Sequence, residues 1–297
     1  MIEFKPVTLE TKDEINSYLK YEEISSSGLC FTTYYIWQKA YDIRYAIIDG
    51  CLVMRFKDNG YPPSLRIPLG NGDKKSAFIK SANALYESGF APRFYGITKD
   101  MLDWVNEIFS DKFIINPTRD YFDYVYKRDD LVNLSGKKYH AKKNHFNSFI
   151  RTYDFEISPI VPDDYSEITE RYKNWAEISD KYLQCESDSI GNLIINTDKL
   201  DIIGAKLKAD GKICAFTFGE RLNSNTAVIH IEKADTDFKG SYAAVNKLFL
   251  ENYLTDFKYI NREEDCGIEG LRKAKTSYNP YKFIEKYSLV LKEGAKL

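Results

Sequence analysis

Two Asp-Gly dipeptides constrain this chain more than any other feature. Asp49-Gly50 and Asp210-Gly211 each separate two apolar runs, IRYAI and CLVMRFK in the first case, IIGAKLKA and KICAFTFGER in the second. Asp-Gly suits the positive φ angles of a tight antiparallel turn, so residues 43–57 and 201–221 are predicted hairpins. The same order of elements follows each one. A third strand comes next, at 64–68 and at 226–233. Then comes a polar or Gly-containing loop, LGNGDKK or ADTDFKGS, and a helix, at 74–88 (ended by Gly89) and at 242–256. A strand, a helix and a strand complete each set, near 92–97, 98–109 and 112–116 in the first half, with a Tyr-rich strand at 121–127, and near 258–261, 267–276 and 283–291 in the second. The turns lie about 160 residues apart, close to one domain length. The expected fold is therefore α/β, with mixed sheets in two similar domains, 1–128 and 129–297. Residues 11–20 make a short helix, and 128–160 connect the halves and carry a basic helix over 137–153.

Composition removes several function classes. The net charge of −2 gives no global attraction to nucleic acid or to an anionic membrane, so any such attraction has to be local. The five cysteines (Cys30, Cys51, Cys185, Cys214, Cys266) are odd in number, widely spaced and form no CxxC pair. That fits a reducing compartment and argues against a disulfide framework or a zinc site. No stretch approaches roughly 18 consecutive apolar residues and the N-terminus lacks an apolar leader, so a cytoplasmic protein is expected.

Three segments carry chemistry. In TDFKGSY (236–242), between a strand and a helix, Gly240 permits close backbone approach, and Lys239 and Ser241 add donors to the N–H groups of the first helical turn. This is a place for a phosphate. In KKYHAKKNHFNSFIR (137–151), Lys137, Lys138, Lys142, Lys143 and Arg151 occur with no acid among them. Phe146, Phe149, Ile150 and Tyr153 share the core face. This helix is either a cationic patch for phosphates or a solvated face. His140 and His145 are five residues apart, so they do not share a metal on one helix face, and no metal is expected. In YINREEDCGIEGLRKAKTSYNP (259–280), Asn261, Arg262 and Asp265 cluster where a strand meets a helix bearing Arg272, Lys273 and Lys275. Acids early and bases late in a helix also simply complement its dipole. Glu232, near the end of the preceding strand, is a candidate base, and Tyr278 a candidate proton donor.

DLVNLSGKKYHAKKNHFNSF (130–149) and INREEDCGIEGLRKAKTSYNP (260–280) resemble the paired signatures of a bacterial family similar to the C-terminal domain of phosphatidylglycerol lysyltransferases. YYIWQKAYDIRYAIIDGCL (34–52) resembles that family's N-terminal region. The resemblance implies two tandem domains of the Gcn-five-type N-acetyltransferase (GNAT) fold, and an acyl- or aminoacyltransferase. Lys142, Lys143, Asn144 and His145 match its basic motif. Asn261, Arg262, Glu263, Asp265, Gly267, Gly270, Leu271, Arg272, Lys275 and Tyr278 match the second motif, with Cys266 in place of a common Leu. The multi-span membrane portion of the lysyltransferases has no counterpart here, and Asp237-Phe238-Lys239-Gly240-Ser241-Tyr242 keeps only the central glycine of an acetyltransferase phosphate loop.

The expected roles follow. Glu232, Arg262 and Tyr278 are catalytic, as base, oxyanion donor and acid. Lys239, Gly240, Ser241, Lys142 and Lys143 hold the phosphates of a donor, either a CoA thioester or aminoacyl-tRNA, with no tightly bound cofactor. His145, Asn261, Asp265, Arg272 and Lys275 bind substrate, with a lipid or small amine or hydroxyl compound as acceptor. A binding or regulatory module that kept the fold without the chemistry, and a nucleic-acid-binding protein acting through the basic helix, are the alternatives. All these roles require the basic helix, the Lys-Gly turn and the Asn-Arg segment to meet around one hollow.

Overall fold

Both Asp-Gly turns have the left-handed backbone their sequences call for, with φ of 49° and 75° at Asp49 and Gly50 and of 49° and 78° at Asp210 and Gly211. The computed structural model describes residues 2–20, 22–58, 60–175 and 181–297. In chain order the elements are β1 (Lys5–Pro6), α1 (Lys12–Leu19), α2 (Phe31–Trp37), β2 (Arg44–Ile48), β3 (Cys51–Phe56), β4 (Ser64–Leu65), α3 (Lys74–Glu87), β5 (Arg93–Ile97), α4 (Lys99–Phe109) and β6 (Phe113–Pro117). There follow β7 (Asp123–Lys127), α5 (Arg128–Asn133), α6 (His140–Thr152), β8 (Phe155–Pro159), α7 (Tyr165–Trp175), α8 (Lys181–Ile195), β9 (Ile202–Ala209) and β10 (Lys212–Arg221). Last come β11 (Thr226–Ala234), α9 (Ser241–Asn252), β12 (Tyr259–Asn261), α10 (Glu269–Thr276), β13 (Lys282–Ile284) and β14 (Tyr287–Leu291). Cys30, Cys51, Cys214 and Cys266 carry thiols, and the side chain of Cys185 lies outside the described part.

Two seven-stranded mixed sheets form, in the orders β1-β2-β3-β4-β5-β14-β6 and β13-β7-β12-β11-β10-β9-β8. The chain order predicted from sequence does not survive at the ends. The Tyr-rich strand expected to finish the first half, β7, belongs to the second sheet, where it pairs antiparallel with β12. The strand expected over 283–291 is two strands. Residues 282–284 stay in the second sheet, and 287–291 cross to the first, where β14 lies antiparallel between β5 and β6. Lys286, at the break, is buried with its ammonium 2.6 Å from Asp123 Oδ1, which fixes where the chain changes sheet. One compact unit therefore gathers residues 1–123, 264–267 and 284–297, and the other 124–263 and 268–283, in place of a single boundary at 128/129. The supposed connector 128–160 supplies α5, α6 and strand β8 of the second unit.

In the first unit, α3 and α4 pack aromatic residues onto the sheet. The Phe78 ring stacks on Phe94 at 4.2 Å and on Phe109 at 4.8 Å, with Phe113 edge-on. In the second unit, the apolar stripe of α9 (Ala244, Val245, Leu248) and Phe149 of α6 bury against Leu207, Cys214 and Ala215 of the sheet. Fully burying each such large side chain contributes about 1.5–3 kcal/mol. Tyr124, Tyr126, Ile229, Ile260 and Tyr278 extend this core toward β7 and β12, at the end of the sheet that carries the polar residues discussed next.

Candidate functional site

The polar cluster of the second unit grows from the parallel pairing of β11 with β12, in which Val228 faces Asn261. Arg262 follows directly, and its backbone is tied twice. Its N–H donates to Tyr124 O at 2.9 Å, and its carbonyl accepts from the buried Lys275 ammonium. The next residue, Glu263, takes a left-handed φ of 56°, stabilised by its N–H donating to Asn261 Oδ1 at 2.7 Å and its carbonyl accepting from Tyr124 N–H at 3.1 Å. Asn261 and Lys275, expected to bind substrate, thus shape the turn that aims Arg262.

Arg262 Nη2 lies 2.7 Å from Glu232 Oε1, and the other carboxylate oxygen accepts from Asn246 Nδ2, on α9, at 2.8 Å. The Arg262 and Glu232 side chains are 12% and 9% exposed, so the pair is nearly desolvated. The guanidinium lies 4.7 Å from the Tyr278 ring centroid and 5.7 Å from that of Tyr126. Lys142 Nζ of α6 lies 4.2 Å from the Tyr278 centroid. Among the described residues, two buried polar atoms in this cluster have no hydrogen-bond partner, Arg262 Nη1 and Asn246 Oδ1. Buried donors and acceptors are almost always satisfied, at a cost of about 1–3 kcal/mol each when they are not. A free donor and a free acceptor flanking one carboxylate therefore mark a place for a ligand.

Protonation follows from these surroundings. Burial pushes the Tyr278 phenol up to about 12, against the pull of Arg262, so it holds its proton at neutral pH. Burial lowers Lys142 below the ordinary lysine range, repulsion from Arg262 lowers it further, and Glu232 partly offsets both. For Arg262, burial works against the charge, but Glu232 and the tyrosines outweigh it and the guanidinium is held more firmly charged.

A second polar group adjoins this one on β11. The ladder with β10 shifts between Phe218 and Gly219, where Phe218 pairs with Ile231 and Gly219 with Ile229, leaving His230 as the extra residue of a bulge. Its ring, 1% exposed, sits between Glu220 and Glu263, each 2.8 Å away. Both ring nitrogens thus face carboxylate oxygens.

The remaining predicted residues are placed as follows. Gly240 has φ of 92°, and a Cβ there would lie 2.3 Å from the His145 carbonyl oxygen. The Lys-Gly turn therefore seats directly on the basic helix, and the glycine serves helix packing. Ser241 is buried, donating its hydroxyl to Asp235 O and its N–H to Phe238 O, so it offers little to an added phosphate. Lys239, Lys143 and His145 are exposed. Asp265 is fully buried in the first unit, pairing with Arg119 at 3.2 Å and accepting from Gly267 N–H. Arg272 lies on α10, half-buried, its N–H donating to Ile268 O. The three predicted segments do converge, through Gly240 on α6 and Lys142 on Tyr278. Asn246, His230 and Tyr126 were missed by sequence reasoning. Asn246 interrupts the apolar run AAVNKLF and His230 interrupts AVIHIE, and those polar intrusions were the available signals.

Among known proteins, the family model for the phosphatidylglycerol lysyltransferase C-terminal region matches residues 21–290. A conserved protein of unknown function from Bacteroides thetaiotaomicron is 37% identical, and the match covers 98% of this chain and all of that one with a TM-score of 0.93. The structure of L-PGS from Bacillus licheniformis is 16% identical, with 98% and 94% of the chains covered and a TM-score of 0.68. A tandem GNAT protein of clavulanic acid biosynthesis is 8% identical, with 97% and 98% covered and a TM-score of 0.54, so the fold is that of tandem acetyltransferases. An uncharacterized protein of Mycoplasmoides gallisepticum is 26% identical over 196 residues, which span 63% of this chain and 60% of the relative. No helix among the described residues is long and apolar enough to cross a membrane.

Proposed function

The chain belongs to the phosphatidylglycerol lysyltransferase C-terminal family, and from that premise we propose that it transfers an aminoacyl group from aminoacyl-tRNA to a hydroxyl or amine acceptor, with the chemistry at Glu232 and Arg262. The observation that carries this reading is the unfinished hydrogen bonding on both sides of the Glu232 carboxylate. An aminoacyl ester supplies both missing partners. Its carbonyl oxygen accepts from Arg262 Nη1, and its α-ammonium donates to Asn246 Oδ1. As the acceptor attacks, its proton passes to Glu232, and the new acyl C–O or C–N bond forms while negative charge on the carbonyl oxygen is met by the guanidinium. The acyl bond to the terminal ribose oxygen then breaks, and that oxygen takes the Tyr278 proton. The net proton movement is from acceptor to leaving group. Lys142, in contact with Tyr278, replaces the phenol proton or holds the terminal phosphate. A tRNA donor is favoured over a CoA thioester because the α9 turn spends Ser241 on its own backbone and seats Gly240 against His145.

The test uses the whole chain with a mixture of charged tRNAs, and phosphatidylglycerol vesicles or simple amines as acceptors. Loss of label from tRNA and its appearance on acceptor is expected, slowed by roughly 10²-fold or more in Glu232→Gln and in Arg262→Lys with the fold intact. Charged tRNA left unaltered in every mixture would overturn the transferase. Binding without turnover would leave the binding-module alternative.

A further inference from the structure

The second unit carries a row of aromatic and basic side chains that the transfer chemistry does not use. The strand register sets Arg221 of β10 opposite Ala227, Thr226 of β11 opposite Tyr259 of β12, and Tyr259 opposite Lys127 of β7. β13, which opens at Lys282, lies on the far side of β7. Side chains alternate along a strand, and Tyr126 and Ile260 belong to the core with Phe249 and Leu250 of α9. Tyr259 and Lys127 are therefore on the opposite face, away from the Arg262 guanidinium that lies over the Tyr126 ring.

Here the Tyr259 and Tyr281 rings stack, with centroids 5.5 Å apart and planes 16° from parallel. Lys127 Nζ lies 4.8 Å from the Tyr281 centroid, and the Lys258 and Lys282 ammoniums lie 5.4 and 5.8 Å from that of Tyr259. Tyr281 stays 52% exposed with these neighbours in place, so much of its ring is open to solvent. None of the three lysines is in an ion pair among the described residues. Asp129 and Asp256, each two residues from one of them, face Arg128 at 3.5 Å and the Thr255 hydroxyl at 3.2 Å instead. Strands lie about 4.8 Å apart, so Lys282, Lys127, Lys258 and Arg221 are spread over roughly 19 Å of strand ends, from β13 to β10.

Rings lying flat beside unneutralised cations complement a ligand that has planar groups and a chain of negative charges. Single-stranded nucleic acid has both. A bilayer surface shares the charge, but it is entered by apolar side chains, and these rings end in hydroxyls and lie face to face.

We propose that this face of the second unit binds single-stranded RNA, with one base stacked on Tyr281 and phosphates held by Lys127, Lys258 and Lys282. The choice of RNA rests on the reading of the donor as a tRNA; the stacking and the charge do not.

Fluorescence anisotropy of the whole chain, with a labelled and unacylated single-stranded RNA of about ten nucleotides, tests this. Saturable binding is expected, with affinity falling with salt at a logarithmic slope of about −2, as three phosphate contacts require. Tyr281→Ala should weaken binding about tenfold or more, and Tyr281→Trp should restore it. Lys127→Ala should weaken binding at low salt and make the slope shallower by about 0.7. No saturable binding by the wild type, undiminished binding in folded Tyr281→Ala, or equal affinity for duplex RNA of the same sequence would each overturn the proposal. Preference for the matching DNA strand would overturn the choice of RNA. Sedimentation with phosphatidylglycerol vesicles in the absence of RNA binding would assign the patch to a membrane instead. The wild-type titration decides the matter even where a variant does not fold. Because the probe carries no aminoacyl group, a failure of transfer and a failure of this binding are read separately.

Discussion

Two buried ionic clusters, one in each unit, differ in a single respect. Around Lys286, the ammonium spends its three donors on Asp123 Oδ1, Glu264 Oε2 and Ser27 Oγ at 2.6, 3.2 and 3.3 Å, and Ser27 N–H and Oγ cover the Asp123 oxygens. Around Glu232, the carboxylate is equally well held, yet the groups holding it keep a donor and an acceptor in reserve. A finished cluster ties backbone segments together. An unfinished one costs stability while it waits, and natural proteins concentrate such unmet groups where a ligand completes them.

The comparison breaks most sharply at Lys286. Lys286→Met leaves Asp123, fully buried, without its counter-charge, and unfolding should become easier by about 3–5 kcal/mol, read from urea midpoints. Lys286 is held charged above its ordinary value, with burial opposing and Asp123 and Glu264 prevailing. Its contribution is therefore complete below the unfolded-state pKa and is lost as pH rises above it. Glu232→Gln should invert the pattern. Turnover should fall on the order of 10²–10³-fold, while the midpoint moves less than for Lys286→Met, because Gln still accepts from Arg262. A large stability loss with unchanged turnover would make the second cluster structural too.

Tyr278 gives the next effect. Its phenol is raised to about 12, mainly by burial. Unfolded chains ionise near pH 10, so the wild type should lose on the order of 2–3 kcal/mol between pH 10 and 12 through this residue. Tyr278→Phe should show a shallower alkaline fall, and turnover reduced by roughly tenfold as the proton donor is lost. Tyr45 and Tyr139, also raised to about 12, are present in both proteins and cancel in the difference.

Local chemistry made the hairpins and the amphipathic helices legible, because turn dipeptides and apolar spacing are encoded within a few residues, whereas the contacts of Arg262 with Glu232 and Tyr278 come from separate elements. The exchange of β7 and β14 between sheets was not legible. Strand partners are chosen by long-range pairing, and the run 283–291 reads as one strand until Lys286 is seen buried at its middle. Asp265 looked like a companion of Arg262 for the same reason: three residues of separation hide the fact that the chain changes unit between them. Asn246 stayed hidden because a helix face is judged by its apolar members, and a single amide in it signals nothing until its carboxylate partner arrives from another element.

The smallest contrast lies between adjacent lysines of α6. Lys142 is half-buried against Tyr278, with its charge disfavoured by burial and by Arg262. Lys143 is exposed. The folded state therefore carries a penalty for charged Lys142 below its lowered pKa, and that penalty eases as pH rises toward the ordinary lysine value. Lys142→Met should remove the penalty, leaving stability near neutral pH equal to or above wild type while turnover drops. Lys143→Ala should move the urea midpoint by no more than about 0.5 kcal/mol. If Lys143 contacts tRNA phosphates, its loss should weaken tRNA binding and flatten the salt dependence by about one phosphate contact, without altering turnover at saturation. A salt dependence identical to wild type would assign Lys143 to the solvated face alone and confine the functional cation of the helix to Lys142.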